Sequence, residues 1–164
     1  NGLVLINGIS AKGVAETDTQ KHYFTENQKI YSDKLSKFVI KCNEKSNGSV
    51  IDRLSRIYTD IFIDEVQDLA GYDLDFLKLL FECKATVLLV GDPRQGTYST
   101  NNSSKNKKFK KAKIVNFFED GSITIEKDDS SLTTNYRSCS PICDFSNKLY
   151  PNHKKTTGGW PEWA

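Results

Sequence analysis

Several features that define other classes of protein are missing from this sequence. The chain of 164 residues contains no apolar run long enough to span a bilayer, and Gly2–Ile6 is too short to be the core of a signal peptide. Its cysteines form no CxxC pair, which gives no support to a zinc ribbon or a disulfide framework; they are Cys42, Cys83, Cys139 and Cys143. The sequence therefore predicts a cytoplasmic protein with free thiols.

A second absence concerns nucleotide binding, because no GxxxxGK[ST] phosphate loop occurs in the chain. Such a loop supplies the backbone N–H groups and the lysine that hold the β- and γ-phosphates. Internal repeats are also absent. The composition, with 37% hydrophobic and 11% aromatic residues, is that of a globular domain with a core of its own.

The net charge of +2 conceals two blocks of opposite sign. An acidic block without lysine or arginine contains Asp60, Asp64, Glu65, Asp68, Asp73 and Asp75. A later basic block contains Lys105, Lys107, Lys108, Lys110, Lys111 and Lys113. The first would attract a divalent cation and the second a polyanion, although lysine runs are also common on solvated surfaces that bind nothing.

Two apolar stretches predict strands that end in polar residues. Ile61–Ile63 runs into Asp64 and Glu65, and Thr86–Val90 runs into the segment GDPRQ. A helix predicted from Asp73 to about Glu82 joins them, so the strands should be parallel and buried. Their polar ends should then meet at one edge of the sheet.

The acids at the end of the first strand suit a magnesium nucleotide. One of the two acids could hold the metal, directly or through water, while its neighbour takes a proton from an attacking water. The alternative is a strand that ends in a solvated acidic turn, and this pattern alone does not separate the two.

Periodicity and turn residues predict the remaining elements. They are a strand at Gly2–Ile6, a helix from about Asn27 that stops at Asn47-Gly48, helices at Val50–Ile57 and Ile114–Phe118, a strand at Ser122–Glu126, and a helix from Ser140-Pro141 to about Tyr150. Residues 151–164 are predicted to be a tail or linker.

Three segments follow one another in the order IDEVQDLAGYDLDFLKLLF, VLLVGDPRQGTYST and LTTNYRSCSPICDFSNKLY. Together they resemble the Walker B region, motif III and motif IV of UvrD/Rep/PcrA-type superfamily 1A DNA helicases, over about Tyr58–Tyr150. The resemblance implies an α/β fold of the RecA-like (P-loop NTPase) type, a parallel sheet flanked by helices. The chain would hold an incomplete first motor domain.

The same resemblance implies how the chain is organised. Residues 1–57 would be the N-terminal part of the motor domain without its phosphate loop, and residues 58–150 the RecA-like core with the three motifs. Residues 151–164 would be the tail or linker. The missing phosphate loop and the missing motifs of a second RecA-like domain imply a fragment that does not hydrolyse ATP alone.

The resemblance also implies roles in binding ATP, Mg²⁺ and single-stranded or partly duplex DNA. Asp64 would hold the magnesium ion, and Glu65 would orient and deprotonate the attacking water. Gln95 would contact the γ-phosphate, where Arg137 would stabilise charge as an arginine finger does. Tyr98 would stack on an unpaired base.

The segment after Tyr98 departs from the family pattern, since Ser99-Thr100-Asn101-Asn102 stands where an aromatic-Arg-Gly-Ala segment is usual. This departure leaves the basic block as the candidate for binding phosphates without sequence preference. Gln67 and Asp68, which complete the DEVQD string, could be scaffold hydrogen bonders or catalytic groups.

Two other functions stay open at this point. One is a nucleic-acid-binding or interaction module that keeps the helicase fold, uses no nucleotide and works through Lys105–Lys113. The other is a metal-dependent nuclease built on Asp64, Glu65, Asp68 and Asp92.

Overall fold

A computed structural model of the chain describes residues 2–101, 103–121 and 123–160. The described residues form two compact units, one up to Ile123 and one from Thr124 onward. Its strands form three separate parallel pairs, so the structure is a mixture of helices and short parallel strands. None of the described helices is both long and apolar enough to cross a membrane.

The first unit contains most of the secondary structure. Its elements are β1 (Gly2–Val4), α1 (Thr19–Tyr23), β2 (Lys29–Tyr31), α2 (Leu35–Lys45), α3 (Ser49–Ile57), β3 (Asp60–Ile63), α4 (Tyr72–Phe81), β4 (Thr86–Leu89) and α5 (Ile114–Glu119). Short 3-10 turns follow both β3 and β4, at Val66–Asp68 and Pro93–Gln95. These two turns carry most of the predicted site.

The predicted β-α-β unit is confirmed. Strands β3 and β4 pair in parallel, with Asp60 opposite Thr86 and Ile63 opposite Leu89, and α4 connects them. Helix α4 buries Leu74, Leu77 and Leu80 because their spacing places them on one face. The N-cap of α4 is Gly71 and not Asp73 as predicted. Asp73 lies in the first turn, where its negative charge interacts favourably with the helix dipole.

The prediction that β3 and β4 are buried on both faces is wrong. Ile63 and Leu89 pack against the core, whereas Phe62 and Leu88 on the other face are 74% and 51% exposed. The core that covers the inner face consists of Val66, Leu74, Leu77, Phe109, Ile114 and Phe117. An apolar run shows that a strand can be buried, but not how many of its faces are covered.

The prediction of a helix from about Asn27 is wrong for the first part of that region. Residues Lys29–Tyr31 form β2, which pairs in parallel with β1, and α2 begins only at Leu35. A tight turn precedes β2, because Gln28 adopts a positive φ of 56° and donates its N–H to the carbonyl of Thr25. The apolar residues of β2 therefore do not continue the helical pattern.

Two other predicted helices are confirmed, and one predicted strand is wrong. Helices α3 and α5 lie within a residue of the ranges expected for Val50–Ile57 and Ile114–Phe118. Residues 123–126 form no strand, and Ser122 lies outside the described residues. Ile123 instead packs against the core, which explains its apolar character without a strand.

The second unit contains β5 (Thr134–Asn135), α6 (Ser140–Leu149) and β6 (Thr157–Gly158). Helix α6 begins at the predicted Ser140-Pro141 pair, although Cys139 is the N-cap. Strands β5 and β6 pair in parallel, and Asn147 donates a hydrogen bond to the carbonyl of Thr156 at 2.9 Å. Within this unit, the described part of the predicted tail is therefore held against β5 and α6.

A pair of leucine substitutions tests which face of the sheet is covered. Leu77 is 1% exposed, so Leu77→Ala should lower the free energy of unfolding by about 2–5 kcal/mol through lost burial and the cavity left behind. Leu88→Ala, on the open face, should cost less than about 1 kcal/mol. Urea unfolding followed by circular dichroism measures both, and equal losses would contradict the assigned faces.

Candidate functional site

The polar ends of β3 and β4 lie side by side, as predicted. Hydrogen bonding between the two segments continues past the strands: the N–H of Val90 donates to the carbonyl of Ile63 at 2.9 Å, and the N–H of Val66 donates to the carbonyl of Val90 at 3.1 Å. The turn that follows each strand is thereby fixed next to the other. We call them the acidic turn (residues 64–68) and the GDPRQ turn (residues 91–95).

Asp64 and Glu65 are both exposed at the start of the acidic turn. Asp64 Oδ1 accepts the backbone N–H of Glu65 at 2.8 Å. Glu65 has a φ of 53°, in the left-handed region that residues other than glycine rarely adopt. Such strain persists only where neighbouring groups hold it, and it is frequent at functional sites.

Gln67 links the two turns from a buried position, with 1% of its surface exposed. Its Oε1 accepts the backbone N–H of Asp92 at 3.0 Å, and its Nε2 donates to Glu65 Oε2. The orientation of the carboxamide follows from chemistry, because a backbone N–H can only donate and must face the oxygen. The nitrogen therefore faces the Glu65 carboxylate.

Asp92 organises the GDPRQ turn. Its Oδ1 accepts the backbone N–H of Arg94 at 3.0 Å and so caps the turn at Pro93. Its Oδ2 accepts from Arg94 Nη2 at 2.8 Å and from Gln95 Nε2 at 3.1 Å. Arg94 is thus paired with Asp92 and is not a freely solvated surface charge.

These contacts determine the charge state of Asp92. Burial raises the pKa of Asp92, but the hydrogen bonds from the Arg94 and Gln95 side chains and the Arg94 backbone outweigh it, so the pKa falls to about 2. Asp92 is therefore ionised at neutral pH. A continuous set of hydrogen bonds then runs from Glu65 through Gln67 and Asp92 to Gln95.

The chain continues from the GDPRQ turn as a loop that reaches Asn101, and we call residues 91–101 the GDPRQ loop. Its far end is also attached to the acidic turn. Thr100 donates its backbone N–H to the carbonyl of Asp68 at 2.8 Å, and its hydroxyl donates to Asp73 Oδ2 at 2.5 Å. Asn101 is buried and donates its side-chain amide to the carbonyl of Asp33 at 2.9 Å. Thr100 and Asn101, which depart from the family pattern, therefore anchor the loop. Asn102 lies outside the described residues.

Tyr98 lies between these two attachments and is 64% exposed. Tyr98 is therefore not part of the core. Its ring is accessible for stacking, and its role in binding bases stays a prediction.

Two lysines of the basic block make polar contacts within the unit. Lys105 Nζ lies 3.1 Å from Asp75 Oδ2, and Lys110 Nζ donates to the carbonyl of Asn101 at 3.0 Å. Lys105 is nevertheless exposed, as are Lys107, Lys108, Lys111 and Lys113. Buried Phe109 anchors this segment, and Lys108 Nζ lies 4.5 Å from the centre of its ring.

The basic segment also touches the GDPRQ loop directly. A Cβ added to Gly96 would lie 2.8 Å from the backbone nitrogen of Ala112 and 2.9 Å from Cα of Lys111. Only glycine permits this approach, because real Cβ atoms do not come so close to backbone. The exposed lysines therefore lie on a segment that is packed against the residue following Gln95.

Arg137 belongs to the second unit, where it is exposed and its backbone N–H donates to Asn135 Oδ1 at 2.9 Å. Its contact with a γ-phosphate stays a prediction.

The carboxylates of the acidic turn do not make a metal cluster by themselves. Among the described residues, no group of three or more His, Cys, Asp or Glu side chains is arranged to hold a metal ion. The four carboxylates of the nuclease alternative thus form no such group there. A single carboxylate such as Asp64 does fit Mg²⁺ bound to a nucleotide, because phosphates and waters supply its other ligands.

Comparison with known proteins assigns the chain to a family. Residues 13–119, more than half of the 164 residues, match the UvrD/REP helicase N-terminal domain. The chain belongs to this family, which confirms the resemblance to UvrD-type helicases. The matched range contains the first two of the three segments, and the segment that begins at Leu132 lies beyond it. No curated protein sequence matches the chain.

Two positions of the site were not resolved by sequence reasoning. The sequence leaves the role of Gln67 open between scaffold and catalysis, and it marks Thr100 only as part of a departure from the family pattern. The one signal for Gln67 was its place in the DEVQD string. The contacts of both residues depend on which segments the fold brings together, which spacing along the chain does not reveal.

Replacing Asp92 tests the electrostatics of the GDPRQ turn. The pKa of Asp92 lies below its ordinary value of 3.8, so ionised Asp92 stabilises the fold above about pH 4, and this contribution is lost as the pH falls through about 2. Asp92→Asn should therefore lower the free energy of unfolding at pH 7 by about 1–2 kcal/mol, a value reduced for partial solvation.

The difference between Asp92→Asn and the unchanged chain should shrink as the pH falls from 4 towards 2, measured by urea unfolding across that range. Asp60→Asn, at an exposed carboxylate on β3, is the matched control and should show no such trend. A difference that is constant with pH would contradict the assigned hydrogen bonds.

Proposed function

We propose that the chain is part of the first motor domain of a UvrD-like ATP-dependent DNA helicase or translocase, with a RecA-like core. Two observations support this: the family of the chain, and the hydrogen-bonded set that joins Glu65, Gln67, Asp92 and Gln95. The second carries the proposal, because ligands of α/β sheets bind at the carboxyl ends of parallel strands, where this set lies.

The acidic turn would act on the metal ion and on water. Asp64 is exposed with one oxygen committed to the Glu65 N–H, which leaves its other oxygen for the Mg²⁺ that accompanies ATP. The bound ion would neutralise charge on the phosphates. Glu65 would orient the attacking water and accept its proton, and both the left-handed backbone and Gln67 hold its carboxylate in place.

Two further groups would act on the γ-phosphate. Gln95 is exposed on the GDPRQ turn and tethered to Asp92, and its uncharged amide can donate to a phosphate oxygen or accept from water. Arg137 would stabilise the charge that develops during phosphoryl transfer. Both roles follow from the family resemblance.

DNA would bind through the loop that follows the GDPRQ turn and the segment packed on it. Tyr98 offers an exposed ring for base stacking. Phosphates would meet the exposed lysines of the basic block, with Lys105 and Lys110 contributing less directly because they already make internal contacts. Such contacts carry no sequence preference.

The chain alone should not hydrolyse ATP, because it contains no GxxxxGK[ST] sequence to hold the β- and γ-phosphates. In the parent protein, which we place in the cytoplasm, a second RecA-like domain would complete the cleft. Residues 1–57 and 58–150 would belong to the first motor domain and residues 151–164 to a tail or linker. Opening and closing of the cleft would move the protein along single-stranded DNA.

A nucleic-acid-binding module that uses no nucleotide is the second candidate. The exposed lysines favour it, since they could bind phosphates without any contribution from the acidic turn. ATP hydrolysis in the parent protein separates the two functions.

Glu65→Gln in the parent protein tests the motor function. The substitution keeps the size of the side chain and removes the general base, so DNA-stimulated ATP hydrolysis should fall by about 100-fold or more. Glu82→Gln, at an exposed carboxylate after α4, should leave it unchanged. A parent protein without DNA-stimulated hydrolysis, or a Glu65→Gln variant with full activity, would rule out the motor.

Neutralising the exposed lysines tests the DNA surface in the chain itself. The triple change Lys107→Gln, Lys108→Gln and Lys111→Gln should weaken binding of single-stranded DNA. It should also flatten the slope of log affinity against log salt by about 2, because each phosphate contact contributes about 0.7.

The control for the lysine test carries the same charge change at other exposed lysines of the first unit, Lys12, Lys29 and Lys45. Fluorescence anisotropy at several salt concentrations measures both triple variants. Equal effects on affinity and slope would show that the basic block is not a specific DNA surface.

A further inference from the structure

Gln67 is a buried side chain that uses both ends of its carboxamide. Placing an amide in a protein interior is unfavourable unless its donor and acceptor are both hydrogen-bonded. Here the acceptor takes the N–H of Asp92 and the donor reaches Glu65 Oε2. Each partner lies in a different turn, so Gln67 connects the acidic turn to the GDPRQ turn.

The backbone is shaped around this carboxamide. A Cβ added to Gly91 would lie 2.6 Å from both Gln67 Oε1 and Val66 Cγ1, and 3.1 Å from the Val66 nitrogen. Glycine is therefore required at position 91 for the amide oxygen to reach the Asp92 N–H.

The loop that begins at Asp92 is attached at its other end as well. Thr100 donates its backbone N–H to the carbonyl of Asp68 and its hydroxyl to Asp73 Oδ2. Since both ends of the loop are attached to the acidic turn, the loop has little freedom to shift relative to Glu65. Gln67 is the attachment nearest to Glu65 and Gln95.

We propose that Gln67 is a positioning residue that holds the Glu65 carboxylate in a fixed place relative to Gln95. The proposal rests on the proposed function, in which Glu65 acts on the attacking water and Gln95 contacts the γ-phosphate. Phosphoryl transfer depends on holding these groups in line. Gln67, with 1% of its surface exposed, acts through Glu65 and touches no reacting group itself.

Two substitutions separate the halves of the carboxamide. Gln67→Glu keeps an oxygen that accepts the Asp92 N–H but loses the donor to Glu65. Gln67→Leu, of similar size, loses both. Gln20→Leu, at an exposed glutamine of α1, is the control for removing a carboxamide elsewhere in the first unit.

The first measurement is hydrogen exchange of the Asp92 amide in the chain itself, without nucleotide. Exchange should become about 10-fold faster or more in Gln67→Leu, since a lost hydrogen bond of ordinary strength has about this effect. In Gln67→Glu and Gln20→Leu, the Asp92 amide should exchange at nearly the rate measured in the unsubstituted chain. Unchanged exchange in Gln67→Leu would overturn the proposal, whatever the function of the protein.

The second measurement is steady-state ATP hydrolysis by the parent protein. Both Gln67 variants should lower kcat by about 10- to 100-fold and leave KM for ATP within about 2-fold, because the donor to Glu65 is lost in each. A purely structural role predicts a loss of kcat in each variant that follows its loss of folding stability, measured by urea unfolding, since the Gln67→Glu carboxyl is buried beside Glu65. That result, or a loss confined to KM, would overturn the proposal.

The two measurements keep this proposal apart from the proposed function. A parent protein that hydrolyses no ATP would refute both the motor and the role of Gln67 in it, while the exchange data would still report whether Gln67 holds Asp92. An active parent protein with unchanged kcat in both Gln67 variants would refute the role of Gln67 alone.

Discussion

The parallel pairing of β3 with β4 is the constraint on which the candidate site depends. Because the strands run in the same direction and in register, both of the turns that follow them emerge at one edge. The acidic turn is thereby placed against the GDPRQ turn, close enough for Gln67 to hydrogen-bond to both. A shift in register would separate Glu65 from Asp92 and leave the buried amide of Gln67 without partners.

The core beneath this edge explains how a short sheet holds its geometry. The inner face of the strand pair rests on residues from α4 and from the segment that carries the basic block, including Phe109, Ile114 and Phe117. The basic block is therefore part of the same folded unit as the acidic turn. Through Gly96, that segment also contacts the GDPRQ loop, so the proposed surfaces for nucleotide and DNA share one framework.

Sequence reasoning succeeded where the pattern is local. The apolar spacing of α4, the two strand ends and the Ser140-Pro141 start of α6 were predictable because propensity and periodicity decide them. It failed where the outcome depends on distant segments. Whether the face around Phe62 is covered, and whether Lys29–Tyr31 forms a strand, depends on which segments pack beside them. The contacts of Gln67 and Thr100 form only when the two turns are adjacent.

The hydrogen bond between the two turns is the most direct test of this account. Scalar coupling across a hydrogen bond, measured by NMR between the Asp92 amide nitrogen and the side-chain carbonyl carbon of Gln67, reports that contact without any assumption about function. The account predicts a measurable coupling in the unchanged chain and its absence in Gln67→Leu. An Asp92 amide without coupling to Gln67 in the unchanged chain would contradict it.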